Sequence, residues 1–203
     1  MTILVDALVV VGGVALGRWI VRRIRGRTAA PGPDREAPAL GHEVPSRFPC
    51  ALGDVVIRFA EGDEAWLGGA MMLEEDGPVA ALFVAPEAGG DRAVFVRDAA
   101  GAGMTWLAPI AQGALAVPRE PPHALDHEGI RYERARRLPV RVSRVGVGVP
   151  TVGDSAIVAE YAGPANLRLL VVAGTAQTLA WKGVALMEGE YDVLPGSKET
   201  LGG

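Results

Sequence analysis

Leu138-Pro139-Val140-Arg141-Val142-Ser143-Arg144-Val145-Gly146-Val147-Gly148-Val149 is the stretch that decides the fold class of this chain. Valines alternating with polar or small residues repeat every second position, the period of a half-buried β-strand rather than a helix. The parity changes once within it. Val140 and Val142 share one face, whereas Val145, Val147 and Val149 fall on the other. If all five are to meet one core, an extra residue is needed around Ser143-Arg144, so a β-bulge or a strand break is expected there.

Short Val- or Leu-rich runs separated by Gly, Pro and Asp recur from residue 50 onward. The pattern predicts strands over 54–59, 65–73, 79–84, 93–97, 104–107, 138–149, 156–161, 167–172, 177–186 and 191–194. Asp76-Gly77-Pro78 is expected to turn the chain between the second and third of these. In 93–97, Val94 and Val96 share one face and Phe95 the other, which fits a strand covered on both sides. The fold class is thus mainly β, an antiparallel β-rich domain. Gly53-Asp54-Val55-Val56-Ile57 and Gly153-Asp154-Ser155-Ala156-Ile157 share G-D-x-x-I, so a duplication into two similar β-lobes stands beside coincidence of ordinary turn chemistry.

Before this domain lie 27 residues of different character, MTILVDALVVVGGVALGRWIVRRIRGR. From Ile3 to Val21 only Asp6 and Arg18 interrupt the apolar run, and about 19 helical residues span roughly 29 Å, close to the hydrocarbon thickness of a bilayer. The charge follows the apolar core instead of preceding it, which disfavours a cleavable signal peptide. Arg22, Arg23, Arg25 and Arg27 orient the expected single-pass transmembrane helix with its C-terminal side cytoplasmic. The alternative is an amphipathic helix lying in the interface or packed on its own domain. Gly13 and Gly17 form a G-x-x-x-G, a spacing that allows self-association of such helices into a homo-oligomer. The expected organisation is an anchor with basic flank over 1–27, a Pro-rich linker over 28–49, the β-rich domain over 50–196 and a disordered tail over 197–203.

The charge balance is uneven. The whole chain carries −4, but residues 1–27 hold five Arg against one Asp, +4, leaving −8 for the remainder. An acidic domain is a poor fit to nucleic acid, whose binding depends on neutralising phosphates. Cys50, the single cysteine, cannot form an intrachain disulfide or a cysteine metal cluster, and no helix or histidine beside it lowers its pKa.

Candidate chemistry is sparse. His123 and His127 stand four apart with Asp126 and Glu128 beside them, which on a helix would put two metal ligands on one face. Pro121-Pro122 before and Gly129 after argue for a connecting loop instead, so no metal centre is expected. Arg131, Arg134, Arg136, Arg137, Arg141 and Arg144 place six guanidinium groups in fourteen residues, a candidate contact for an anionic surface. The plainer reading is a solvated stripe paired with the acidic remainder. Gly146-Val147-Gly148 lacks the Gly-Lys-Ser/Thr of a phosphate loop, Ser143 and Ser155 sit in no nucleophile elbow, and no cofactor is implied. Trp66, Trp106 and Trp181 are expected in the core or packed on a sheet.

Leu52-Gly53-Asp54, Ala65-Trp66-Leu67, Ala159-Glu160-Tyr161 and Ala180-Trp181-Lys182-Gly183 together resemble the bacterial domain-of-unknown-function family numbered 4178, over residues 50–196. The resemblance implies a β-rich domain, sometimes repeated, with no catalytic residues to carry over. The functional expectation is a noncatalytic cytoplasmic module at the cell membrane that binds an unknown protein partner or assembly. The alternative is a membrane-associated enzyme, or a receptor for a small ligand or anionic lipid, with a site built from dispersed residues.

Overall fold

The computed structural model describes residues 48–86, 92–99 and 103–196, all within one compact unit, Leu40–Gly203. The expected anchor, most of the expected linker and the expected tail lie outside the described residues. Among the described residues no helix is long and apolar enough to cross a membrane.

Twelve strands are present among these residues: β1 (Val55–Arg58), β2 (Asp63–Trp66), β3 (Gly69–Glu74), β4 (Pro78–Ala85), β5 (Arg92–Arg97), β6 (Met104–Pro109), β7 (Ala124–His127), β8 (Ile130–Gly146), β9 (Ser155–Ala162), β10 (Leu167–Gly174), β11 (Thr178–Leu186) and β12 (Tyr191–Leu194). The expected strand over 65–73 is two, β2 and β3, parted at Leu67-Gly68. Eight of the twelve close a ring in the order β3-β4-β5-β6-β11-β10-β9-β8, with β8 pairing back onto β3. The wall is two antiparallel meanders, β3 to β6 and β8 to β11, joined at both seams. At the β6–β11 seam, a Cβ on Gly183 would stand 1.8 Å from the Trp106 carbonyl oxygen, so only glycine admits this approach.

Three apolar clusters explain why the strands read as continuous runs. One takes Met71 and Leu73, Leu82, Phe95, Leu107, Val140, Val158, Leu170, Val172 and Trp181, so every strand of the ring contributes and the cluster fills the bore. A second covers one outer side of the wall. Ala70, Met72, Phe83, Val94, Val96, Met104, Trp106 and Val145 pack there against Phe48, Cys50, Val56, Ala65 and Leu67. These last residues belong to a separate three-stranded sheet, β12-β1-β2, and its approach. The core therefore already includes Phe48, two residues before the expected domain start. A third cluster covers the opposite side, where Leu125, Tyr132, Tyr161, Leu169 and Val171 pack against Ile110, Leu115 and Val117 of the preceding loop. Burying both faces of β3, β4, β5 and β10 removes the simple in–out alternation.

The bulge expected at Ser143-Arg144 is not there. β8 pairs with β3 without a shift from Arg141 through Gly146. Val140 and Val142 face the bore, while Val145 faces the outer cluster under the small sheet, so both parities find a core. The strand ends at Gly146, whose φ of 76° turns the chain, and Val147 is left exposed. The register shift of β8 lies earlier, between Arg134 and Arg136 opposite β9. It turns Arg136 inward where plain alternation from Tyr132 would leave it outside.

The two G-D-x-x-I segments do not mark equivalent lobes. Gly53 and Gly153 both hold positive φ, 90° and 98°, but one leads into the small sheet and the other into the barrel wall. Asp54 ties its own surroundings together, accepting from Ala51 N at 2.7 Å and Gly196 N at 2.9 Å. What the two share is turn chemistry.

Candidate functional site

The two outer coverings of the barrel have unlike backs. In the small sheet, Val56, Ala65 and Val193 turn toward the barrel, so the neighbouring positions face away. Register then aligns Leu194, Val55 and Trp66 in one cross-strand row on the outer side, with Ile57 next to it between Asp192 and Glu64. Phe59 continues the same parity beyond β1. Trp66 is 57% exposed, Phe59 56% and Leu194 45%. The result is a row of large apolar side chains with two exposed carboxylates on the same face. Arg92 fixes this sheet to the barrel rim, donating to Asp63 Oδ1 at 2.7 Å and the Glu64 carbonyl at 2.9 Å, with its guanidinium over the Trp106 ring.

On the other side, the 110–123 loop and β7 present charge that is already paired. Arg137 donates to both oxygens of Glu120, at 2.7 and 3.0 Å, and that hydrogen bond holds the Glu120 carboxyl below its usual range. Arg131 lies 3.6 Å from Asp126. Arg134 donates to the Pro121 carbonyl and meets His123 Nδ1 at 3.1 Å. Lys182 reaches Glu128 at 2.5 Å and lowers its pKa. Tyr161, fully buried beneath, clips the loop by donating to the Pro122 carbonyl at 2.8 Å.

The six candidate arginines thus do not converge. Over 131–144 an extended strand covers about 43 Å, and Arg141 donates to the Glu75 carbonyl while Arg144 donates to Thr151. Of the six, Arg136 and Arg144 share the bore-side parity of Val140 and Val142, but they stand at opposite ends of that stretch and both are exposed. The two histidines do not converge either. The 124–127 segment is a strand, not a connecting loop, closed against β8 by a two-residue turn in which Glu128 and Gly129 take φ of 54° and 77°. Four extended residues separate His123 from His127 by about 13 Å, too far to share one ion. His127 is buried and its Nε2 has no hydrogen-bond partner. Among the described residues no group of three or more His, Cys, Asp or Glu could hold a metal.

The bore has two unlike ends. One holds a cavity of about 300 Å³ between Val84, Pro86, Pro109, Ile110, Leu179 and Trp181. The other holds about 170 Å³ lined by Phe95, Arg97, Thr105, Glu160 and Arg168 among others, with Arg136 the cross-strand neighbour of Glu160 outside that lining. Trp106 and Trp181 are buried as expected, but Trp66 is not. Its exposure was legible in one signal, the Asp63-Glu64-Ala65-Trp66 alternation that puts Trp66 on the face of Glu64. Cys50 is buried, and burial with the nearby Asp54 pushes its thiol up to about 12.

No protein-family model, no curated protein and no solved structure matches this chain.

Proposed function

We propose that this chain is a noncatalytic interaction module, anchored in the cell membrane by residues 1–27 and holding its β-barrel domain on the cytoplasmic side, where the outer face of the small sheet docks a protein partner. The observation that carries this reading is the row Leu194, Val55 and Trp66, with Leu194, Trp66 and nearby Phe59 exposed and Val55 and Ile57 half-buried between them. A contiguous apolar row rimmed by carboxylates is the composition of a docking surface, and Trp is prominent among residues that dominate binding energy. The partner's chemistry follows from the rim. Glu64 and Asp192 favour an apolar anchor flanked by Lys or Arg, the composition of segments that leave a bilayer on its cytoplasmic side. Membership of the family numbered 4178 belongs to the same proposal and rests on the aromatic and glycine positions given above.

In membranes from cells making the full chain, the protein is expected to stay in the pellet after a carbonate wash and, in mild detergent, to migrate in a complex larger than itself. Trp66→Glu is expected to leave it in the pellet and free it from that complex. A chain that washes off, or that migrates alone with Trp66 intact, contradicts the proposal. A complex of whole multiples of the chain that persists in Trp66→Glu and is lost on replacing Gly13 and Gly17 would assign assembly to the helix instead.

A further inference from the structure

The barrel's charged end has a use that the docking face does not supply. In β9, Ala156 and Val158 face the bore, and Glu160 continues their parity. Arg97 follows Phe95, Arg168 precedes Leu170, and the β8 bulge brings Arg136 opposite Glu160. Four strands thus bring three guanidinium groups and one carboxylate to the same end of the bore. They do not cancel. The ion pair formed there, Arg97 Nε to Glu160 Oε2, is 3.8 Å long, beyond hydrogen-bonding distance. Arg168 spends one nitrogen on the carbonyl of Leu167, leaving the rest of its fork. Burial raises the Glu160 pKa although Arg97, Arg136 and Arg168 all act to lower it. The carboxylate is thus a poor counter-ion for the cations around it. Beside these groups is a cavity of about 170 Å³, large enough for a phosphate group and also lined by Thr105.

We infer that the charged end of the barrel binds a phosphate-bearing oxyanion, held by Arg97 and Arg168, with Arg136 adding positive charge from the neighbouring strand. Planar guanidinium groups converging from different strands match the oxygens of such a group, and a concave, partly desolvated setting strengthens each contact. The phosphate has two sources, a soluble phosphate compound or the phosphomonoester headgroup of a lipid from the adjoining membrane. The site is separate from the sheet face argued above, so either can fail alone.

The test is calorimetric titration of the full chain in a neutral detergent with pyrophosphate, with dihexanoyl phosphatidic acid, and with dihexanoyl phosphatidylcholine as the zwitterionic control. Saturable one-to-one binding is expected for pyrophosphate, phosphatidic acid or both, but not for the control. Pyrophosphate alone identifies a soluble ligand; phosphatidic acid alone identifies the headgroup. Arg168→Ala and, separately, the more exposed Arg97→Ala should each weaken binding at least about 10-fold. Glu160→Gln should tighten it, because the competing carboxylate is gone. Arg131→Ala, the same charge change on the outer surface, should leave it unaltered. No binding of either phosphate compound, an equal loss in Arg131→Ala, or weakened binding in a folded Glu160→Gln would overturn the inference.

Discussion

The two coverings of the barrel do the same packing work and present opposite surfaces. The three-stranded sheet buries Val56, Ala65 and Leu67 on one side of the wall, and the 110–123 loop with β7 buries Leu115, Val117 and Leu125 on the other. Behind the sheet stand exposed Trp66, Phe59 and Leu194; behind the loop stand paired Arg137 with Glu120 and Lys182 with Glu128. A sheet used as a cover has a second face by construction, and here that face is apolar. A loop folded back on a strand has polar groups to satisfy, and here it satisfies them with its own charges. On the proposed reading, the contiguous apolar face rather than the paired charges is the interface.

The largest expected effect separates two neighbouring residues. Leu67→Ala removes a side chain that is 1% exposed under the small sheet and should destabilise the domain by about 2–5 kcal/mol in denaturant unfolding. Trp66→Ala, one position away and 57% exposed, should cost less than about 1 kcal/mol. Equal losses would mean that Trp66 packs on the fold and the sheet has no free face.

A smaller effect reports on the sheet side alone. Because the Cys50 thiol is raised in the folded state, from 9.0 to about 12, its contribution is fully present below pH 9 and is lost as pH rises toward 12. At pH 10.5 the wild type should have lost about 2 kcal/mol relative to Cys50→Ala, whose own alkaline loss comes from other groups. Parallel stability curves for the two proteins between pH 8 and 10.5 would show that Cys50 is open to solvent and the sheet is not seated.

Much of the fold is readable from the residues, and the failures have physical causes. Strands such as β4, β5 and β10 announce themselves because both faces are buried and the apolar run is unbroken. The valine parity switch within Leu138 to Val149 marks no bulge, because the wall separates two cores and each takes one parity. β7 was hidden by its two prolines upstream and by a Glu-Gly turn, a weaker hairpin signal than Asn-Gly. The charged end of the bore could not be read at all, since Arg97, Arg136, Glu160 and Arg168 are up to 71 positions apart and meet only because the barrel closes. Trp66 is the nearest miss: the expected strand over 65–73 breaks at Leu67-Gly68, and Trp66 closes β2 on the outward parity of Glu64.

The difference between the two coverings is tested most directly by photocrosslinking in intact membranes, with a photoreactive amino acid placed in the full chain at position 66 or at position 137. Position 66 is predicted to give one discrete protein adduct and position 137 none. Adducts of equal yield from both positions, or none from position 66, would contradict the assignment of the small sheet's outer face as the docking surface.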